Sequence, residues 1–183
     1  MKEKIFILIF LCTTLSLKAQ KYYTKTGSVA FEASVPSFEK IEAENNAVTA
    51  ILNSENGEIA ALALVKGFHF KIALMEEHFN ESYAESSKFP KATFKGSIEN
   101  FSFDSLNNGV TTYNLNGQLT FHGQTKTITT KCELKLIDNK IYLDSSFYIT
   151  TKDFDISIPK IVSKKISEKV NVIISFEMLE KEK

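Results

Sequence analysis

The sequence predicts an all-β fold: a half-buried antiparallel meander of eight strands, enough to close on itself, with one short helix between early strands. Three observations predict it. Apolar and polar residues alternate with a period of two along most of the chain, the mark of strands with one buried and one wet face. Turn pairs such as Asn56-Gly57 and Asp138-Asn139 separate those segments. A single stretch, Met75 to Ser87, switches to a helical period. Closing eight strands removes exposed edges and leaves an interior wide enough for one small ligand.

The elements follow in order. Gly27 to Ala33 reads as a first strand with Val29, Phe31 and Ala33 on one face, ended by Pro36. Ser34 to Asn46 is polar and acidic and is expected to cross a barrel end. Ala47 to Leu52 is the second strand and Glu58 to Phe68 the third. The third is rich in small residues (Ala60, Ala61, Ala63, Gly67), which leave volume unfilled if they face inward. In the helical stretch Met75, Phe79 and Tyr83 share a face. Two readings stay open for it: a lid over the barrel mouth, or a connection packed outside. Phe89-Pro90 stops it.

Lys91 to Phe103 is the fourth strand. Phe101 and Phe103 fall on the opposite parity from Ala92, Phe94, Gly96 and Ile98, which predicts a bulge near Asn100. The fifth, Val110 to His122, shows the cleanest alternation. Tyr113, Leu115, Leu119 and Phe121 are apolar, and Asn114, Asn116, Gln118, Thr120 and His122 polar. Gly117 interrupts the inward row and predicts a bend or a close approach. Thr125 to Ile137 returns, with Ile128, Cys132, Leu134 and Leu136 inward. Lys140 to Thr150 points Ile141, Leu143, Phe147 and Ile149 inward. Asp153 to Glu168 is less regular, and Lys169 to Leu179 closes the set with Val170, Val172, Ile174, Phe176 and Met178 on one face.

Residues 1–19 read as a secretory signal peptide: Lys2 and Lys4, an apolar run from Ile5 to Leu17, and Ala19 for cleavage. Residues 20–183 then form one domain, expected to be periplasmic or secreted. Cys132 is its only cysteine, so no internal disulfide forms and a core must supply stability. Net charge is zero and arginine is absent. That leaves nucleic-acid binding without its usual phosphate and guanine donors.

Two blocks carry a family likeness: Gly117-x-Leu119-Thr120-x-His122-Gly123-x-Thr125-Lys126, and Lys88-Phe89-Pro90-Lys91-Ala92-Thr93-Phe94. Over roughly Thr26 to Glu177 the chain resembles the YceI-like family of lipid-binding proteins. The resemblance implies an extended barrel of the lipocalin kind that holds long-chain amphiphiles, polyisoprenoids among them, in an apolar interior. The chain departs from the family pattern in three places. Lys152 replaces an arginine and Asp155 a glycine. Met75 to Glu81 replaces an aspartate–histidine–leucine element.

The aromatic residues fit a cavity lining or a solid core equally, and the resemblance favours the cavity. Its expected lining is Phe31, Ala61, Ala63, Phe79, Tyr83, Phe94, Leu115, Gly117, Leu119, Phe121, Leu134, Phe147, Ile149, Ile174 and Phe176. The resulting reading is a carrier of a polyisoprenoid or quinone-like lipid, with a fatty acyl or amide ligand as alternative, in transient contact with a membrane or envelope protein. Cofactor chemistry is not required, because the barrel works by removing the chain from water. A barrel enzyme using His122 or His78 as base, and a solid-core envelope interaction module, are the competing classes. His78 and Glu81 have a spacing that metal sites use but lack further local ligands. The resemblance implies that His122 is a turn residue whose ring bonds nearby backbone; Cys132, on the inward parity of its strand, is expected to be a buried, inert thiol.

Overall fold

The computed structural model describes residues 20–36 and 38–181. The predicted signal peptide lies outside the described residues. Eight long strands close an antiparallel barrel: β1 (Lys21–Ser34), β2 (Glu42–Asn53), β3 (Glu58–Leu64), β5 (Lys91–Ile98), β6 (Thr111–Phe121), β7 (Gln124–Ile137), β8 (Lys140–Thr150) and β9 (Ile166–Glu180). Around the barrel the order is β1-β9-β8-β7-β6-β5-β3-β2, and β1 pairs with β2 to complete the ring. A two-residue strand, β4 (His69–Phe70), adds to the end of β2 through Ala43 and Glu44.

The alternation read from the sequence sets the inward faces of β6 to β9. The hairpin turns explain themselves locally. His122 and Gly123 have φ of 47° and 75°, and Asp138 and Asn139 have 50° and 61°. Positive φ at both central residues matches the right-handed twist of the flanking strands, and glycine, asparagine and aspartate reach it most easily. Asp155, at the position where the family pattern has glycine, also takes the left-handed conformation, with φ 54° and ψ 31°. The substitution therefore keeps the backbone and adds a carboxylate, which accepts a 2.6 Å hydrogen bond from Gln124 Nε2.

Four expectations are corrected. Residues 42–46 do not cross a barrel end; they belong to β2, with Ala43 and Asn45 buried. The pairing with β1 slips by one residue between Asn45 and Val48, and this bulge hid the strand by breaking its parity. The third strand stops at Leu64 and does not reach Phe68. There the Asn45 side chain takes over, donating to the Leu64 carbonyl at 2.9 Å and accepting from the Ala47 amide at 2.9 Å. The fourth long strand stops at Ile98 with no bulge to continue it. Asn100 turns the chain at φ 52°, and Phe101 and Phe103 pack on the core from a connection.

The helix is also shorter than expected. It is α-helical only over α1 (Ala73–His78) and widens to a π turn over Phe79–Tyr83, where the Ala84 amide reaches the Phe79 carbonyl at 2.7 Å. In a regular α-helix, residues four apart drift by about 40° at each step. The wider turn offsets that drift and keeps Met75, Phe79 and Tyr83 on one side.

The barrel's two ends differ. At one, Tyr22, Leu52, Leu134, Ile141, Leu143 and Met178 are essentially inaccessible. The connection after β5 plugs this end: the Phe103 ring lies 5.6 Å from that of Tyr22, and Leu106 is buried. The other end is hollow.

Candidate functional site

The hollow end encloses a cavity of about 350 Å³. Its walls are inward positions of the strands: Val29, Phe31 and Ala33 from β1, Leu119 and Phe121 from β6, Ile149 from β8, and Val170 and Val172 from β9. Period-two alternation puts every one of these on the same side of its strand. Met75, His78, Phe79 and Tyr83 line it from α1 and the π turn. The helical segment is thus a cover on the cavity and not an external connection. Phe79 anchors it, with its ring centroid 5.3 Å from Phe31, 5.2 Å from Phe70 and 6.1 Å from Phe68.

Deeper in the barrel the space narrows to a void of about 80 Å³. Val29, Phe68, Ala92, Leu119 and Val172 line both spaces, so the two adjoin along the barrel axis. Ala61 and Ala63, with Phe94, Leu115, Phe147, Ile174 and Phe176, surround the narrower part. The alanines of β3 leave that room, as their size predicts.

Of the residues expected to line a cavity, only Gly117 and Leu134 touch neither space. Leu134 belongs to the filled end, fully buried. Gly117 pairs directly with Gly96 across β5 and β6. A Cβ on Gly117 would lie 2.4 Å from Phe94 Cζ, 2.6 Å from the Lys95 carbonyl oxygen and 2.8 Å from Gly96 Cα. The close approach predicted for Gly117 is therefore real, but what approaches is the neighbouring strand and the Phe94 ring. No open volume remains there.

The sequence reading missed the connection between β8 and β9. Phe154, Ile156, Ile158, Val162 and Ile166 all line the cavity. Their signal was present as alternate apolar residues from Phe154 to Ile158, but Pro159 interrupts any strand pattern. The polar side chains of the lining are few. Glu39, His78, Thr150, Thr151 and Lys165 all come from the helix, the strand ends or the connections around the mouth. The Tyr83 phenol is held above its ordinary pKa by burial and so stays neutral. The geometry is an apolar tube, with Thr93 the one polar residue lining its deep part and all the charged groups of the lining at its rim, which suits an amphiphile with its chain inside.

A family model for the YceI-like domain matches residues 21–178. The chain belongs to the YceI-like family. Solved structures agree on the fold. A polyisoprenoid binding domain from Saccharophagus degradans implicated in plant cell wall breakdown superposes with a TM-score of 0.78 at 14% identity, over 90% of this chain and 100% of that one. Burkholderia cenocepacia BcnA gives 0.67 at 16% identity, over 82% of this chain and 95% of that one. The Campylobacter jejuni YCEI protein gives 0.57 at 16% identity over the whole of both. Among curated proteins nothing matches.

In this YceI-like barrel His122 sits at the edge of the hollow end and ties three connections together. Its Nδ1 lies 2.7 Å from the Phe154 carbonyl oxygen, and its Nε2 lies 2.8 Å from Glu85 Oε2. Each ring nitrogen thus faces one oxygen, a backbone carbonyl on one side and a carboxylate on the other. The ring also meets Phe89 edge-on, with centroids 4.6 Å apart. The expected backbone bond is present, and Glu85, 37 residues away in the chain, is the acid the sequence left invisible. With 11% of its side chain exposed and both nitrogens engaged, His122 clasps the helix exit to the β6–β7 turn. It does not line the cavity. His78 does, on the rim, and makes no side-chain hydrogen bond among the described residues.

Cys132 is buried in the filled half, and burial pushes its thiol up to about 11. A maleimide at neutral pH should label native protein orders of magnitude more slowly than denatured protein, read by mass shift against time. Rapid native labelling would put the β7 register in error.

Proposed function

We propose that this YceI-like protein is an exported carrier that sequesters a long-chain amphiphile, of the polyisoprenoid or quinone-like kind, without chemically altering it. The observation that carries this is the division of the cavity: apolar residues along its length, broken in the deep part only by Thr93, and every charged or titratable side chain of the lining at the mouth. Transfer from water of each methylene contributes roughly 0.8 kcal/mol before ordering costs. A long chain therefore binds through length, without converging polar groups. The likeness to a polyisoprenoid binding domain supports the prenyl class. The signal-peptide pattern read at residues 1–19 supports export.

Against a barrel enzyme stands the engagement of both His122 nitrogens outside the cavity. Against a solid-core module stands the hollow half of the barrel. The test is organic extraction of protein purified from its native source, followed by mass spectrometry. Release of a polyprenyl or quinone-like species near one per protein is expected. A fatty acyl or amide species would reassign the ligand within the same carrier. Protein that yields no chain, and takes up none when offered both classes, would sink the proposal.

A further inference from the structure

The connection from Ile156 to Ile166 reads Ile-Ser-Ile-Pro-Lys-Ile-Val-Ser-Lys-Lys-Ile: five aliphatic residues, three lysines and no acid. Its inner side forms part of the cavity mouth through Ile156, Ile158, Val162 and Ile166. Its outer side is unlike the rest of the surface. Ile161 is 90% exposed, the most exposed large apolar residue among those described. Lys160, Lys164 and Lys165 are exposed around it, and none makes an ion pair among the described residues. The turn holds its shape through the Val162 amide bonded to Pro159 and the Lys165 amide bonded to Val162, at 3.0 and 2.8 Å. These bonds hold Ile161 at the apex.

The neighbouring connection lies alongside, because Ser34 at the end of β1 pairs with Ile166 at the start of β9. It exposes Phe38 at 45%. Two apolar tips thus flank the mouth; the unpaired lysines stand beside Ile161, while Glu39 and the Lys40–Glu42 pair stand beside Phe38. The helix across the mouth carries Glu76, Glu77 and Glu81 instead, so the positive charge is one-sided. Lysines around an exposed aliphatic tip match an anionic bilayer surface: the tip enters the acyl boundary while the ammonium groups meet headgroup phosphates. An acidic protein would satisfy the lysines but not explain Ile161 standing in water at the lip of an apolar tube.

We propose that Ile156–Ile166 is a membrane-docking loop, which seats the cavity mouth on an anionic bilayer so that the chain passes between bilayer and barrel without crossing water. The proposal rests on the carrier reading of the cavity. The test uses residues 20–183, within which all the barrel strands lie, and flotation with vesicles of phosphatidylcholine alone or mixed with phosphatidylglycerol. The parent protein should float with the mixed vesicles and lose binding as salt rises. Lys160→Gln/Lys164→Gln should weaken partitioning by about fivefold for each lysine. Ile161→Asp should weaken it by about tenfold or more. Lys131→Gln, on the exposed barrel wall, should change little.

Extraction of each variant reads the cavity separately, and all should keep their chain. Equal binding to neutral and anionic vesicles, or unaltered binding by Ile161→Asp and the lysine variant, would overturn the docking loop. So would capture of polyglutamate as strong as that of vesicles and indifferent to Ile161, which would make the patch a site for an acidic protein. Protein that retains its chain but never docks refutes the loop alone. Protein that docks by this loop yet never holds a chain upholds the loop and refutes the carrier.

Discussion

Gly117→Phe should destabilise the barrel strongly, where a residue lining open volume would only block the ligand. A side chain at this position meets the backbone of β5 at its first atom, with the Lys95 carbonyl oxygen at 2.6 Å and Gly96 Cα at 2.8 Å. Neither can move without parting β5 from β6. The Phe94 ring already covers this glycine pair and fills the space a side chain would need. Overpacking a close-packed site costs about 1–3 kcal/mol, and a backbone collision sits at or above the top of that range. In a domain of this size that lowers the melting temperature by about 10 °C. Even Gly117→Ala should be visibly destabilised, since its Cβ is the colliding atom. Thermal denaturation followed by circular dichroism checks both. A Gly117→Phe protein that melts within a degree or two of the parent would show that the β5–β6 pairing is wrong at this point.

Ala92→Trp should do the reverse: keep the fold and lose the ligand. Ala92 lines both the wide cavity and the narrow void beyond it, so an indole there grows into empty space where the two adjoin. The overpacking penalty is small where volume is vacant, and we expect a melting temperature within a few degrees of the parent. Chain retention should fall by at least about tenfold, because roughly two or more methylenes lose their place and each contributes about 0.8 kcal/mol. Melting temperature and extracted lipid, measured on one preparation, separate the outcomes. A folded variant that retains the full chain would mean the ligand lies elsewhere than along this axis.

The contrast between these two residues shows what a sequence can convey. Both lie on inward faces by parity, and both are small. From parity and size alone each should line open space. Gly117 does not, because its vacancy is taken by a ring from the same sheet and by the facing glycine. Parity reports the side of the sheet to which a residue points and nothing of what stands opposite.

The same limit explains His122. Its turn was legible from His-Gly between two alternating runs, since the φ > 0 requirement is local. Its acid partner was not, because Glu85 comes from a helix exit far along the chain. Phe101 and Phe103 failed for a related reason. Their parity described a strand that had ended, and only the fold shows them and the connection after them plugging one end of the barrel.

Strand count, order of elements, inward faces and hairpin turns were therefore set by local chemistry, where alternation and turn residues act within a few positions of themselves. The helix face and the roominess of β3 belong with them, as properties of spacing and side-chain size. The distribution of filling was settled only in three dimensions. One half of the barrel is packed solid, and the other half is left open beneath the helix and the Ile156–Ile166 loop. Whether inward side chains meet or stand apart depends on the closure of the barrel and on which connections fold over each end. Those distances join residues far apart in the chain, and no local pattern encodes them.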